Sequence, residues 1–173
     1  MKKYTVREIT SLALMLSLIL VLSALEGMLP PLPFHMRLGL SNAVTMYALF
    51  FMGWKPAFTL AALKSLSVFL SRGPIAGIMS ASGGIASLIA IAAIAALSSG
   101  ASYLFLSVTG ALIHNMAQLA AASLIVSTNL VPVYLPILAA AAIPAGTLTA
   151  GVLRAVMPVF NAISPEKARP LRT

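Results

Sequence analysis

From Gly73 to Leu153 the chain contains no Lys, Arg, Asp or Glu. A soluble fold cannot cover itself with such a sequence, because ordinary domains carry roughly a quarter charged residues to hold their surface in water. Here 8% of the 173 residues are charged, 60% are hydrophobic and the mean hydropathy is +1.02. The solvent is therefore lipid. The length allows one membrane domain of at most about six or seven spans, with no room for a separate soluble module.

Backbone polar groups inside hydrocarbon must be satisfied within the protein, which leaves helices and closed barrels. The apolar runs do not alternate, and this excludes a barrel. The expected fold is an all-α integral membrane protein, a bundle of six transmembrane helices in a single domain. Gly, Pro and small polar residues interrupt the runs near Pro30 to Gly39, Gly53 to Pro56, Ser71 to Pro74, Ser98 to Gly100 and Thr128 to Pro132. The breaks predict helices at about 7–28, 39–52, 56–71, 76–97, 101–128 and 136–158, followed by a basic tail at about 159–173. The second and third are short for a full crossing. Met1, Lys2, Lys3 and Arg7 precede an apolar run that is longer than the core of a signal peptide and ends in Pro30-Pro31-Leu32-Pro33. That run is read as a retained first helix, and the prolines as a stiff connector.

Charge placement orients the bundle, since Lys and Arg beside membrane helices stay on the cytoplasmic side. Six spans with the N-terminus inside put eight basic residues on that side: Lys2, Lys3, Arg7, Lys55, Arg154, Lys167, Arg169 and Arg172. Arg37 and Arg72 fall outside, and Lys64 lies within the third span. This predicts a multi-pass protein of the plasma membrane, the inner membrane of a bacterium, with both termini cytoplasmic. The net charge of +8 is then a topology signal, and nucleic acid is not an expected partner.

Ionisable and amide side chains at membrane depth normally face a bundle interior or a wet cavity. Glu26, Arg37, Asn42 and Arg72 gather toward the extracytoplasmic end, Lys64 sits near the middle of the third helix, and His114, Asn115 and Gln118 occupy the middle of the fifth. His114 and Gln118 are four apart and share a helix face, with Asn115 beside them. The group has two readings, a binding site for a ligand head group or an interhelical hydrogen-bond cluster. Lys64 can likewise snorkel, pair with Glu26, or await an anion. Arg37 and Arg72 can bind the ligand or anchor lipid headgroups. Positive groups outnumber Glu26 here, which favours an anionic ligand. No metal site is expected, since Cys and Asp are absent and His35 is the only second histidine. No cofactor is expected either.

Small residues recur four apart: Ala13 and Ser17 on the first helix, Gly73, Gly77 and Ala81 around the fourth, and Ala142, Gly146 and Ala150 on the sixth. Such spacings let helix backbones approach within the bundle. Ala13 and Ser17 are the best candidates for a partner interface, if the first helix lies at the bundle edge.

The ordered set Leu29-Pro30-Pro31-Leu32-Pro33, Arg37-Leu38-Gly39-Leu40-Ser41-Asn42, Gly53-Trp54-Lys55, Ser82-Gly83-Gly84 and His114-Asn115-Met116-Ala117-Gln118 resembles the Gx transporter family, also known as heptaprenyl diphosphate synthase component I. The similarity covers roughly residues 5 to 160. It implies a six-helix protein like the substrate-binding S components of energy-coupling factor (ECF) transporters, which capture a micronutrient from outside. In those systems a transmembrane coupling protein and two ATPases drive its release inside, and the S component meets the coupling protein through small residues on its first helix. Ala13 and Ser17 match that pattern imperfectly.

The synthase in the family's second name does not suit this chain as an independent enzyme. Prenyl diphosphate synthases hold magnesium with clustered aspartates, whereas this sequence has no Asp and its three Glu are far apart. There is no Gly-x-x-x-x-Gly-Lys loop, so any ATPase is a partner. Two functions follow. The first is a small-molecule uptake component, binding a partly apolar anionic ligand through Arg37, Asn42, Lys64, His114, Asn115 and Gln118, with Glu26 and Arg72 at the mouth. The second is an accessory membrane subunit of isoprenoid or quinone metabolism or of membrane electron transfer. A purely structural packing subunit is a third reading.

Overall fold

The computed structural model describes residues 5–28, 39–98, 100–127 and 131–163. Arg37, His35, the proline run at 30–33 and the basic residues beyond 163 lie outside the described residues. Among the described residues six helices follow one another: α1 (Val6–Met28), α2 (Asn42–Phe51), α3 (Trp54–Arg72), α4 (Pro74–Leu97), α5 (Tyr103–Val126) and α6 (Val131–Ile163). Among the described residues there is no strand. Of these described helices four, α1, α4, α5 and α6, are long and apolar enough to cross a bilayer. The chain is a multi-pass helical membrane protein.

The two remaining helices depart from simple spans in different ways. α3 has 19 residues, and its bundle-facing stripe of Ala57, Leu60, Ala61 and Val68 carries Lys64 in the middle. α2 has 10 residues, which at 1.5 Å each reach about 15 Å, half of a ~30 Å hydrocarbon core. It begins at Asn42, three residues later than the sequence predicts. Asn42 meets Lys64 and His114, both from the middle turns of their helices.

α2 is also the most deeply placed element. Every residue from Ala43 to Phe51 is buried, as expected of a helix apolar on all sides. Met15 and Ile19 of α1, Leu60 of α3, Leu88 and Ile91 of α4, Leu106 of α5 and Leu153 of α6 enclose it in one core. From the middle of α2, Tyr47 donates to Asn161 Oδ1 at 2.8 Å and stacks on Phe51, tying the helix to the last turn of α6. α1 lies at the rim. It buries Ser11, Met15, Ile19, Ser23 and Glu26, and leaves Ala13 and Ser17 exposed.

α6 is longer than expected, running from Val131 to Ile163 where the sequence predicts 136–158, so residues 159–163 are helix rather than tail. Pro136, Pro144 and Pro158 sit inside it and are all exposed. Helices in membranes tolerate such prolines because local adjustment and neighbouring groups re-satisfy the freed carbonyls. Its inner face carries the small residues Ala142, Gly146 and Ala150, all buried. A Cβ on Gly146 would lie 2.4 Å from Val108 Cα of α5, so this stripe is intramolecular packing.

Gly146→Val should therefore lower the thermal midpoint of the detergent-solubilised protein, by an overpacking cost of about 1–3 kcal/mol or more. A Cβ on Gly151 of the same helix would meet no atom within 4 Å, and Gly151→Ala should leave the midpoint unchanged or raise it. Equal losses in both variants would mean that α5 and α6 do not meet at Gly146.

Candidate functional site

The buried polar residues join into one chain of hydrogen bonds. Lys64 Nζ donates to Asn42 Oδ1 at 2.6 Å. The other end of that amide, Nδ2, lies 3.0 Å from His114 Nδ1. The second ring nitrogen, Nε2, lies 2.8 Å from the Gln118 amide one turn further along α5. Lys64 is 5% exposed and His114 1%, so Lys64 does not snorkel. Asn42 is the bridge, and it is positioned as the first residue of α2.

Glu26 holds the approach to that residue. Its carboxylate accepts the backbone N–H groups of Gly39 and Leu40, just ahead of α2. A negative group is favoured at this end of a helix, where amide dipoles leave partial positive charge. The first turn of α2 closes on the same segment, with the N–H groups of Asn42, Ala43 and Val44 donating to the carbonyls of Gly39, Leu40 and Ser41. Gly39 adopts φ +81, a left-handed conformation that glycine enters without steric cost. A Cβ there would stand 2.7 Å from Asn42 Nδ2 and 3.3 Å from the His114 ring.

A second close approach fixes the imidazole. A Cβ on Gly83 of α4 would fall 2.7 Å from His114 Nδ1 and Cε1, and the Gly83 backbone is a further hydrogen-bond partner of the ring. A neutral imidazole has one donor and one acceptor. Its two nitrogens face the amide groups of Asn42 and Gln118, so the tautomer decides which of them accepts.

These residues surround a cavity of about 10 Å³ between α1, α3, α4 and α5, lined by Ser23, Glu26, Lys64, Ser80, His114 and Gln118 among others. That is space for about one water. Lys64 and Glu26 attract one another across it. Arg72 lies beside it, with Nη2 donating to Ser23 O at 2.6 Å while Nη1 is buried without a partner.

Of the sequence candidates, Glu26, Asn42, Lys64, His114 and Gln118 come together, and Arg72 stands next to them. Asn115 does not join them. It turns to the adjacent face of α5, where Nδ2 donates to Leu138 O of α6 at 3.3 Å and Oδ1 is left unpaired. Arg37 lies outside the described residues. Ser23 and Ser80 line the site without having been singled out in the sequence, and Gly39, read there as part of a break and of the family motif, lines it as well. Ser23 was legible in principle, because Ser11, Met15, Ile19 and Ser23 recur at four-residue steps and define the buried face of α1. Among the described residues, no three His, Cys, Asp or Glu gather as a metal site would need.

A family model described as heptaprenyl diphosphate synthase component I matches residues 15–156. The chain belongs to this family. The match takes in Glu26, Asn42, Lys64, His114 and Gln118, and all of α2 to α5. No curated protein and no solved structure matches the chain.

The bridging role of Asn42 in this family member has a direct consequence. Asn42→Ala deprives Lys64 and His114 of a partner at once and should cost about 1–3 kcal/mol per orphaned group. Lys64→Met added to Asn42→Ala should recover part of that loss, because the stranded ammonium is gone. Unfolding midpoints of the two single variants and the double variant measure this, and strictly additive losses would rule the bridge out.

Proposed function

We propose that the chain is a substrate-binding membrane component of a small-molecule uptake system, comparable to ECF S components, which takes a partly apolar anion from the extracytoplasmic side. The observation that carries this reading is the Lys64 ammonium, buried within the bundle and facing a cavity, with one of its three N–H groups on Asn42. A cation in that position is costly unless it serves a ligand, a partner charge or a transport path. Arg72, with an unpaired buried N–H at the cavity's edge, adds a second donor of the same sign. Asn42, His114 and Gln118 orient the ligand, and binding rather than chemistry is their role. Asn115, turned toward Leu138 of α6, stands apart from this group.

The wider assignment follows from the sequence. The eight-to-two division of basic residues supports six crossings with both termini cytoplasmic. Exposed Trp54 and Phe58 stack beside Lys55 in the manner of an interfacial anchor at that end. Without a phosphate-binding loop of its own, the chain depends on partner ATPases and a coupling protein for energised release. The uncovered Ala13 and Ser17 face of α1 is available to such a partner.

A second reading rests on the family's description: an accessory membrane subunit that presents a prenyl or quinone-type substrate to an enzyme. The two separate by experiment. Protein purified from its own membranes should release a small anion on unfolding, identifiable by mass spectrometry, and Lys64→Met should come out with at least tenfold less of it. Loss of quinone or prenyl products in cells carrying Lys64→Met, with uptake intact, would favour the accessory subunit instead.

A further inference from the structure

A second internal cavity lies on the other side of the Asn42–His114 bond. It also has a volume of about 10 Å³, and it is walled by Met46 of α2, Ser87 and Ile91 of α4, Ser107 and Ala111 of α5, and Thr149 of α6. Gly39 lines both cavities, His114 only the first and Asn42 only the second. The amide–imidazole contact at 3.0 Å is therefore the divider between them.

The two chambers differ in chemistry. The first holds Lys64 and Glu26. In the second, the hydroxyls already donate elsewhere: Ser87 to Gly84 O at 3.1 Å, Thr149 to Ala145 O at 2.8 Å, and Ser107 to Met46 Sδ at 3.5 Å. The Asn42 amide is engaged at both ends. The second chamber thus has no charged group and its hydroxyl donors are already taken, whereas Met46, Ile91 and Ala111 give it an apolar wall. Burial of such walls favours uncharged carbon.

We infer that the second chamber is a subsite for the slim apolar portion of an organic anion whose head sits at Lys64, and that the Asn42–His114 contact parts to join the two chambers. This rests on the anion-binding reading above and adds where the rest of the ligand goes. The ligand class is a carboxylate or phosphate carrying a short, unbranched, uncharged chain. Each chamber holds about one water as it stands, so parting the divider exchanges one amide–imidazole hydrogen bond for contacts of both groups with the ligand and moves the helices that bear them, α2 and α5, apart to make room.

Binding of inorganic phosphate, methyl phosphate, ethyl phosphate and propyl phosphate to the purified full-length protein tests this by calorimetry. Each added methylene should tighten binding about fourfold, the equivalent of ~0.8 kcal/mol per buried CH₂. Ala111→Val on α5 and Thr149→Leu on α6 fill the chamber from different sides, and in either the ratio of propyl phosphate to inorganic phosphate affinity should collapse toward one. Two variants are used so that misfolding of one, read from its thermal transition, does not decide the matter. Phosphate binding with no chain-length dependence would overturn the subsite, mark the second chamber as a water site, and leave the anion site standing. A chain-length gain that persists in both variants would place the tail elsewhere and also overturn it. Absence of Lys64-dependent binding across the whole series would overturn the anion site and the subsite together.

Discussion

One amide holds the middle of this bundle. Asn42 presents its oxygen to the Lys64 ammonium and its nitrogen to the His114 ring, so α2, α3 and α5 meet at a single side chain. In a low-dielectric interior such bonds are strong when complete and costly when broken. The amide can do this only because α2 starts inside the bundle. That start is fixed by two unrelated means: apolar burial on every side of the helix, and the Glu26 carboxylate of α1 on the amides of Gly39 and Leu40. Four helices are thereby coupled through about one turn of backbone.

α5 is held differently on its two sides. Lipid is as apolar as any helix face, so hydrophobicity alone gives helices no reason to associate within a bilayer, and close packing or interhelical hydrogen bonds must do it. Toward α2 and α3, α5 offers His114 and is fastened by polar contacts. Toward α6 it meets Ala142, Gly146 and Ala150, and the fastening is backbone proximity, to which Asn115 adds a hydrogen bond on Leu138 O. A polar site can open by exchanging its hydrogen bonds with a ligand. A glycine contact cannot be exchanged in this way, so on the anion-binding reading proposed above the movement belongs on the α2 side of α5 and the α5–α6 pair is the fixed wall.

Much of this was legible in the sequence, for identifiable reasons. Apolar runs and Gly or Pro breaks located the helices closely, because in lipid a helix continues until its backbone can be satisfied otherwise. The breaks misjudged α6, where the sequence cannot say that Pro136, Pro144 and Pro158 all face outward. Membrane-depth polarity identified Glu26, Asn42, Lys64, His114 and Gln118, since such residues are scarce and must face inward. It could not separate Asn115 from them, because neighbours in sequence point about 100° apart on a helix, and only the rotation of α5 within the bundle decides which of the two turns toward α6. Nor could it foresee that Glu26 would accept from backbone as well as attract Lys64, as that depends on where the chain returns after α1.

The engagement of Glu26 also bears on the synthase in the family's description. Magnesium held on a diphosphate needs clustered carboxylates with free lone pairs. The sequence has three acids, none of them Asp, and the one beside the cavity accepts from Gly39 and Leu40. Releasing it for a metal would strip the first turn of α2 of its anion and loosen Asn42 with it. The cavity's surplus is positive, with Lys64 and Arg72 against Glu26, which suits an anion arriving without its metal. Among the described residues no carboxylates gather as that chemistry needs, and on the reading proposed above the bundle's part in prenyl diphosphate metabolism is to hold an anionic head beside an apolar pocket.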